Sequence, residues 1–120
     1  MKKFNEKLNK NQLKAVTNTE GYIRVVAGPG SGKTKTLASR YAYLVNECNI
    51  LPENILCVTF TRKASDEMKE RIKQYIGNFP LRYVCTYHSF CLKFLRDTIE
   101  LYGFTNKFQI IYDYDSLKMV

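Results

Sequence analysis

The sequence predicts an α/β fold built on a parallel sheet flanked by helices, and three observations lead there. The first is the apolar run Tyr22-Ile23-Arg24-Val25-Val26, which passes straight into the glycine-rich stretch Ala27 to Thr34, A-G-P-G-S-G-K-T, with a helical pattern behind it. The second is the alternation of short apolar runs with longer segments of helical period, the sign of βαβ units. The third is Ile55 to Phe60, a run so nearly all apolar that it reads as a strand buried on both faces.

Taken in order, Asn9 is placed to cap a first helix, Lys10 to Asn18, with Leu13 and Val16 on its inner face. Tyr22 to Ala27 reads as the first strand. The helix after the glycine loop, Lys35 to Asn46, carries Leu37, Tyr41, Leu44 and Val45 at helical spacing. Leu51-Pro52-Glu53-Asn54 is a turn, and Ile55 to Phe60 the second strand. Thr61 caps a helix with Ala64, Met68, Ile72 and Ile76 four residues apart, ended by Gly77. Arg82 to Thr86 is a short third strand. Tyr87 to Tyr102 is helical, with Phe90, Phe94, Leu95 and Ile99 on one face and Gly103 at its end. Lys107 to Tyr112 reads as extended, and Asp113 to Val120 as the start of another helix. No repeat or low-complexity segment is visible.

At 120 residues the chain is long enough for one domain with a real core, and its apolar fraction of 45% is ordinary. The net charge of +8 and a pI of about 9.4 suit a polyanionic partner, nucleic acid before an anionic membrane. No apolar run approaches the ~20 residues of a membrane span, and no apolar stretch follows the basic N-terminus as in a signal peptide. Cys48, Cys57, Cys85 and Cys91 form no C-x-x-C pair and read as reduced core residues of a cytosolic, hence cytoplasmic, protein. His88 is the only histidine, which leaves a metal site little support.

The stretch from Ala27 to Thr34 has the context of a phosphate-binding P-loop, strand before and helix after. Gly28, Gly30 and Gly32, with Pro29 and Ser31 between them, let the backbone wrap an anion so that successive N–H groups point inward. The helix start adds its N–H groups and dipole. Lys33 is placed to reach the β- and γ-phosphates, and Thr34 to set its hydroxyl on a phosphate-bound Mg²⁺. The strict pattern G-x-x-x-x-G-K-[ST] begins with Gly where this chain has Ala27, a minor change because alanine is small. Glycine-rich turns are common in proteins, but G-K-T after an apolar strand is a strong signal of nucleotide binding.

Ligands of open parallel sheets sit at the carboxyl ends of the strands. Two more polar clusters fall at such ends. Thr59-Phe60-Thr61-Arg62-Lys63 sets one aromatic between hydroxyls and two cations at a helix start, which suits a single strand of nucleic acid: phosphates meet cations and N–H groups, and a base stacks on the ring. The plainer alternative, equally weighted, makes Phe60 a core residue and leaves Arg62 and Lys63 solvated. Thr86, His88 and Ser89 repeat the theme, although His88 by itself reads as a structural cap. Gln12 carries an amide able to pair with both N6 and N7 of adenine; taken alone it would be surface polar.

These clusters, in this order, resemble one family. Leu8 to Val16 is similar to the Q motif of superfamily 1 DNA helicases of the UvrD/Rep type, and Ala27 to Thr34 to their motif I. Val58-Thr59-Phe60-Thr61-Arg62-Lys63-Ala64, followed by Glu67-Met68, is similar to motif Ia, and Thr86-Tyr87-His88-Ser89-Phe90 to motif Ib, usually T-F-H-[SG]. The match runs from Leu8 to about Ile111. The resemblance implies a RecA-like P-loop NTPase domain and an ATP-dependent, Mg²⁺-requiring helicase or translocase acting 3′-to-5′ on single-stranded or partly duplex DNA, with a place in DNA repair. It implies that Gln12 reads adenine and that Lys33 and Thr34 hold phosphates and Mg²⁺. It sets Phe60 and Arg62 against DNA bases and backbone, with Thr61 and Lys63 beside them, and Thr86 and His88 against phosphates. Two positions depart from the family. Lys35 stands where an arginine often packs on the adenine, and a lysine has no planar face to stack. Arg62 stands where asparagine is usual, which strengthens a backbone contact.

Hydrolysis also needs an acid to hold Mg²⁺, a base to orient water, and cationic fingers. Phe108 to Asp113 superficially offers four apolar residues and an aspartate, but Asp113 or Asp115 reads better as the N-cap of the final helix. By the resemblance, residues 1–106 are the N-terminal part of a first motor domain and 107–120 the start of an inserted subdomain. The sheet would then be incomplete, truncated after motif Ib, and the remainder of a helicase chain would be the first partner. Three rivals remain: the helicase subunit of a helicase–nuclease, a nucleic-acid-binding module with a vestigial P-loop, and a small P-loop phosphotransferase. Only the last has no use for motif Ia.

Overall fold

The first helix, α1 (Lys10–Thr17), is only eight residues long, and its start is fully specified by side chains. Asn9 Oδ1 accepts from the Gln12 N–H at 2.9 Å while Gln12 Oε1 accepts from the Asn9 N–H at 3.0 Å, a reciprocal capping box. The computed structural model describes residues 8–103 and 105. By internal packing the chain falls into two units, Met1–Tyr87 and His88–Val120.

In the first unit, α2 (Lys33–Asn46) follows the glycine loop and α3 (Arg62–Ile76) follows the strand β1 (Cys57–Thr59). A second strand, β2 (Val84–Thr86), comes after α3. The two strands are parallel, in the register Cys57↔Val84, Val58↔Cys85 and Thr59↔Thr86, so β1–α3–β2 is a βαβ crossover. The α/β reading with a parallel sheet is thus what the structure shows. Thr61 caps α3 by accepting from the Ala64 N–H at 3.1 Å, and Gly77, at φ +95°, ends it.

The core forms where α2, α3 and β2 meet. Ala38, Tyr41 and Ala42 face Met68, Ile72, Tyr75 and Ile76, with Leu81 and Val84 closing it. The i, i+4 spacing of Met68, Ile72 and Ile76 is what places them on one face. Ser65 donates its hydroxyl to the Val84 carbonyl at 3.3 Å and ties α3 to the strand. Burial, with Cys57 nearby, pushes the Tyr41 phenol up to about 12, so it stays protonated and donates to the Pro52 carbonyl at 3.4 Å. Burial, then the neighbouring Cys85, raises the Cys57 thiol as well.

Several sequence expectations are corrected. Tyr22 to Ala27 is not a strand among the described residues: it joins no ladder, and Val26 is 83% exposed. A strand exists only through a neighbour, and these residues find none there. Strand Ile55 to Phe60 contracts to Cys57–Thr59, half-buried rather than enclosed; among the described residues β2 is its one ladder partner, which leaves its other edge open. Leu13 and Leu37 are exposed, since Val16 and Ala38 take the inward positions of their helices. Cys85 is a core residue and Cys57 half-buried, but Cys48 and Cys91 are exposed.

The helix α4 (Tyr87–Thr98) starts on the last residue of the first unit and runs on in the second, where it gives way to a 3₁₀ turn, Ile99–Tyr102, closed by Gly103 at φ +85°. None of its described side chains is buried, so the expected inner face of Phe90, Phe94, Leu95 and Ile99 is half-exposed or exposed; Phe90 and Phe94 touch each other, ring centroids 6.3 Å apart. The readings at Lys107 to Tyr112, Asp113 and Asp115 lie outside the described residues.

Candidate functional site

The glycine loop is shaped by two residues with positive φ. Ser31 donates to the Gly28 carbonyl through its N–H, at 3.3 Å, and through its hydroxyl, at 2.6 Å, closing a four-residue turn. Pro29 and Gly30 occupy its centre, and Gly30 has φ +71°, as a turn with Pro then Gly requires. Gly32, at φ +82°, is the N-cap of α2 and brings no side chain to the helix start. The first-turn N–H groups of α2 therefore keep their outward direction, and no acidic side chain stands among them. Thr36 fastens the turn by donating its N–H and hydroxyl to the Gly32 carbonyl at 2.9 and 2.8 Å.

Gln12 is drawn into this loop. Its Nε2 donates to the Ser31 carbonyl at 2.8 Å, while its Oε1 is the acceptor of the capping box. A β-carbon on Gly32 would stand 2.9 Å from that Nε2, so glycine is demanded there by contact as well as by φ. One amide thus caps α1 and braces the loop, and still has one N–H and one lone pair to offer a ligand.

Between α1, residues 23–27 and the start of α2 lies a cavity of about 550 Å³. Gln12 and Asn9 supply polar groups on one wall. Ile23, Val25, Ala27 and Leu37 supply an apolar surface, and Ser31 and Lys33 stand at the loop. The apolar run 22–27, which builds no ladder, helps to line this cavity. Lys33 and Thr34, both exposed, are the first two residues of α2; Lys35 is half-buried behind them. An open apolar cleft of this size with a few polar groups is what a small-molecule site looks like. The loop residues fit a phosphate chain: a glycine-lined turn, an uncapped helix start and an exposed ammonium at one place.

Arg40 belongs to the same region and its part was not legible in the sequence. Its guanidinium donates to the carbonyls of Ala15, at 2.8 Å, and Asn18, at the C-terminal end of α1. It thereby satisfies orphan carbonyls and fixes α1 against α2. A lone arginine two turns into a helix carries no local sign of which carbonyls it will meet.

The second grouping sits where β1 and β2 end. Phe60 follows Thr59 and is 91% exposed, so the core reading of Phe60 is wrong. Thr59 donates its hydroxyl to the Thr61 carbonyl at 3.1 Å, and the Thr61 hydroxyl is engaged in capping α3. Arg62 and Lys63, exposed, open α3. Thr86 lies half-buried opposite Thr59. His88, exposed, and Ser89, half-buried, are in the first turn of α4 and belong to the second unit.

Comparison with known proteins gives the chain its relatives. The pattern of the UvrD/REP helicase N-terminal domain family matches residues 8–120. A probable DNA helicase II homolog of Mycoplasma capricolum is 46% identical over 114 residues, 94% of this chain and 16% of that protein. The DNA helicase II of Rickettsia typhi is 45% identical over 119 residues, 98% of this chain and 18% of that protein. The ATP-dependent DNA helicase PcrA of Staphylococcus aureus is 42% identical over 105 residues, 87% of this chain and 14% of that protein. The chain thus spans less than a fifth of the length of these relatives.

Proposed function

The chain belongs to the UvrD/REP helicase N-terminal domain family, and on that premise we propose that it is the nucleotide- and DNA-contacting part of an ATP-driven motor on single-stranded DNA. The observation that carries the reading is the joint between Gln12 and the glycine loop, with Lys33 at the edge of a cavity large enough for a nucleotide base and sugar. The fold reading that goes with it is a RecA-like P-loop domain, and the polarity, 3′-to-5′, rests on resemblance to the UvrD/Rep helicases.

ATP with Mg²⁺ supplies the phosphoanhydride whose hydrolysis drives movement; the residues of this chain bind and orient it. Gly28, Gly30, Gly32 and the start of α2 present N–H groups to the phosphates. Lys33 places its ammonium on the outer phosphates, and Thr34 offers its hydroxyl toward Mg²⁺. The free N–H and lone pair of Gln12 Nε2 and Oε1 match the N7 acceptor and N6 donor of adenine. Because the same amide holds the Ser31 carbonyl, base recognition and loop shape are coupled through one side chain. Ile23, Val25 and Leu37 give the base an apolar wall; Lys35, lacking a planar group, adds no stacking face. At the strand ends, Phe60 offers a ring to a base, Arg62 and Lys63 meet phosphates, and Thr86 adds a polar group; by the resemblance His88, in the second unit, also meets a phosphate.

Titrating ATP and pyrophosphate into the chain and into Lys33→Ala tests the nucleotide half of this reading. Both ligands should bind the wild type and bind the variant at least tenfold more weakly, in line with the loss of a charge-assisted contact of about 1.5–3 kcal/mol. Equal binding by the two proteins would remove the nucleotide site and leave a nucleic-acid-binding module.

A further inference from the structure

We propose that Tyr87 is a second base-stacking residue, its ring joining that of Phe60 in one platform for single-stranded DNA at the carboxyl ends of β1 and β2; this rests on the single-strand reading above. The placement follows from register. Thr59 and Thr86 are the last paired residues of two parallel strands, so the next residues, Phe60 and Tyr87, leave the sheet side by side. Their ring centroids lie 5.6 Å apart with planes tilted by 37°. Phe60 is 91% and Tyr87 53% exposed, so both residues are accessible from solvent. Two large rings held together in water are an unusual use of apolar surface.

What surrounds the rings identifies their partner. Arg62 and Lys63 come two and three residues after Phe60 and are exposed, and α3, which they open, has no acidic residue in its first turn. Rings flanked by cations call for a planar group on a polyanion, which is a nucleic-acid base on its phosphate chain. Adjacent bases in a helical strand advance roughly 3.4 Å per nucleotide. The two rings, 5.6 Å apart, are more widely spaced than stacked neighbouring bases.

The test measures affinity of the chain for labelled oligothymidylate and for an abasic strand of equal length, in the wild type and in Tyr87→Phe, Tyr87→Ala, Tyr87→Leu and Phe60→Ala. Tyr87→Ala and Tyr87→Leu should each weaken oligothymidylate binding by roughly 5- to 150-fold, the span that base–aromatic stacking covers by substitution. Tyr87→Phe should bind like the wild type, and the abasic strand should not distinguish any of the four. Tyr87→Leu keeps the apolar bulk, so it decides the matter if alanine lowers the melting temperature. Loss of affinity in Phe60→Ala with none in the Tyr87 variants overturns the platform and leaves the single-strand reading standing. An equal loss on abasic and thymidylate strands overturns stacking by Tyr87. Wild type that binds neither strand overturns both.

Discussion

Ser39 is fully buried midway along α2, and its hydroxyl is the one buried side-chain polar atom among the described residues without a hydrogen-bond partner. A buried, unpaired hydroxyl costs about 1–3 kcal/mol, and serine is also a poorer helix former than alanine. Ser39→Ala should therefore raise the midpoint of urea unfolding with an unchanged slope. A lower midpoint would mean that the hydroxyl is satisfied after all. Gln12 is the opposite case, a polar side chain used twice. Its amide type is readable in the sequence, as is its place three residues after Asn9. Its bond to Ser31, nineteen residues away, is not, because nothing local records which carbonyl a loop will turn toward it. Phe60 shows the same limit. Composition leaves core and surface evenly matched for a phenylalanine, and only the end of a ladder decides for the surface.

At the level of elements, helix boundaries were legible and strand boundaries less so. Asn9, Thr61, Gly77 and Gly103 mark ends through local chemistry, and the structure places helix ends at all four. Strands depend on neighbours: Tyr22 to Ala27 has the apolar content of a strand yet pairs with nothing among the described residues. The helix α1 depends on neighbours too. Isolated helices shorter than about 12–15 residues are marginal in water, so eight residues stay ordered through tertiary ties. Those ties are buried Val16, the Gln12–Ser31 bond and the Arg40 bonds to Ala15 and Asn18. Arg40→Met keeps the stem and removes the donors. It should cost about 1.5–3 kcal/mol of stability, as charge-assisted bonds do, with faster amide exchange concentrated in α1. ATP affinity should fall alongside, since Asn9 and Gln12 line the cavity from that helix. Unchanged exchange in α1 would show that Val16 and Gln12 hold it without Arg40.

Across the whole molecule, the excess of nineteen Lys and Arg over eleven Asp and Glu sets a field that favours polyanions from a distance. Among the described residues no helix is long and apolar enough to cross a membrane. Charge alone, however, names no strand and no site; the proposal adds the ring pair at the strand ends, and the two contributions separate by their salt dependence. Binding of a single strand releases counterions, and each phosphate neutralised adds roughly 0.7 to the slope of log affinity against log salt. If Arg62 meets a phosphate, as proposed, Arg62→Ala should flatten the slope by about that amount and matter less as salt rises. Phe60→Ala leaves every cation in place. It should lower affinity by a similar factor at every salt concentration, about 1–3 kcal/mol if a base lies on the ring, with the slope unchanged. The melting temperature of Phe60→Ala should stay near that of the wild type, because a ring 91% exposed contributes little to the core. Affinity measured at several salt concentrations for both variants therefore assigns each residue its own part: parallel lines for Phe60, converging lines for Arg62. Parallel lines for Arg62 would show that its guanidinium meets no phosphate, and an unchanged affinity in both variants would remove DNA from the ends of β1 and β2.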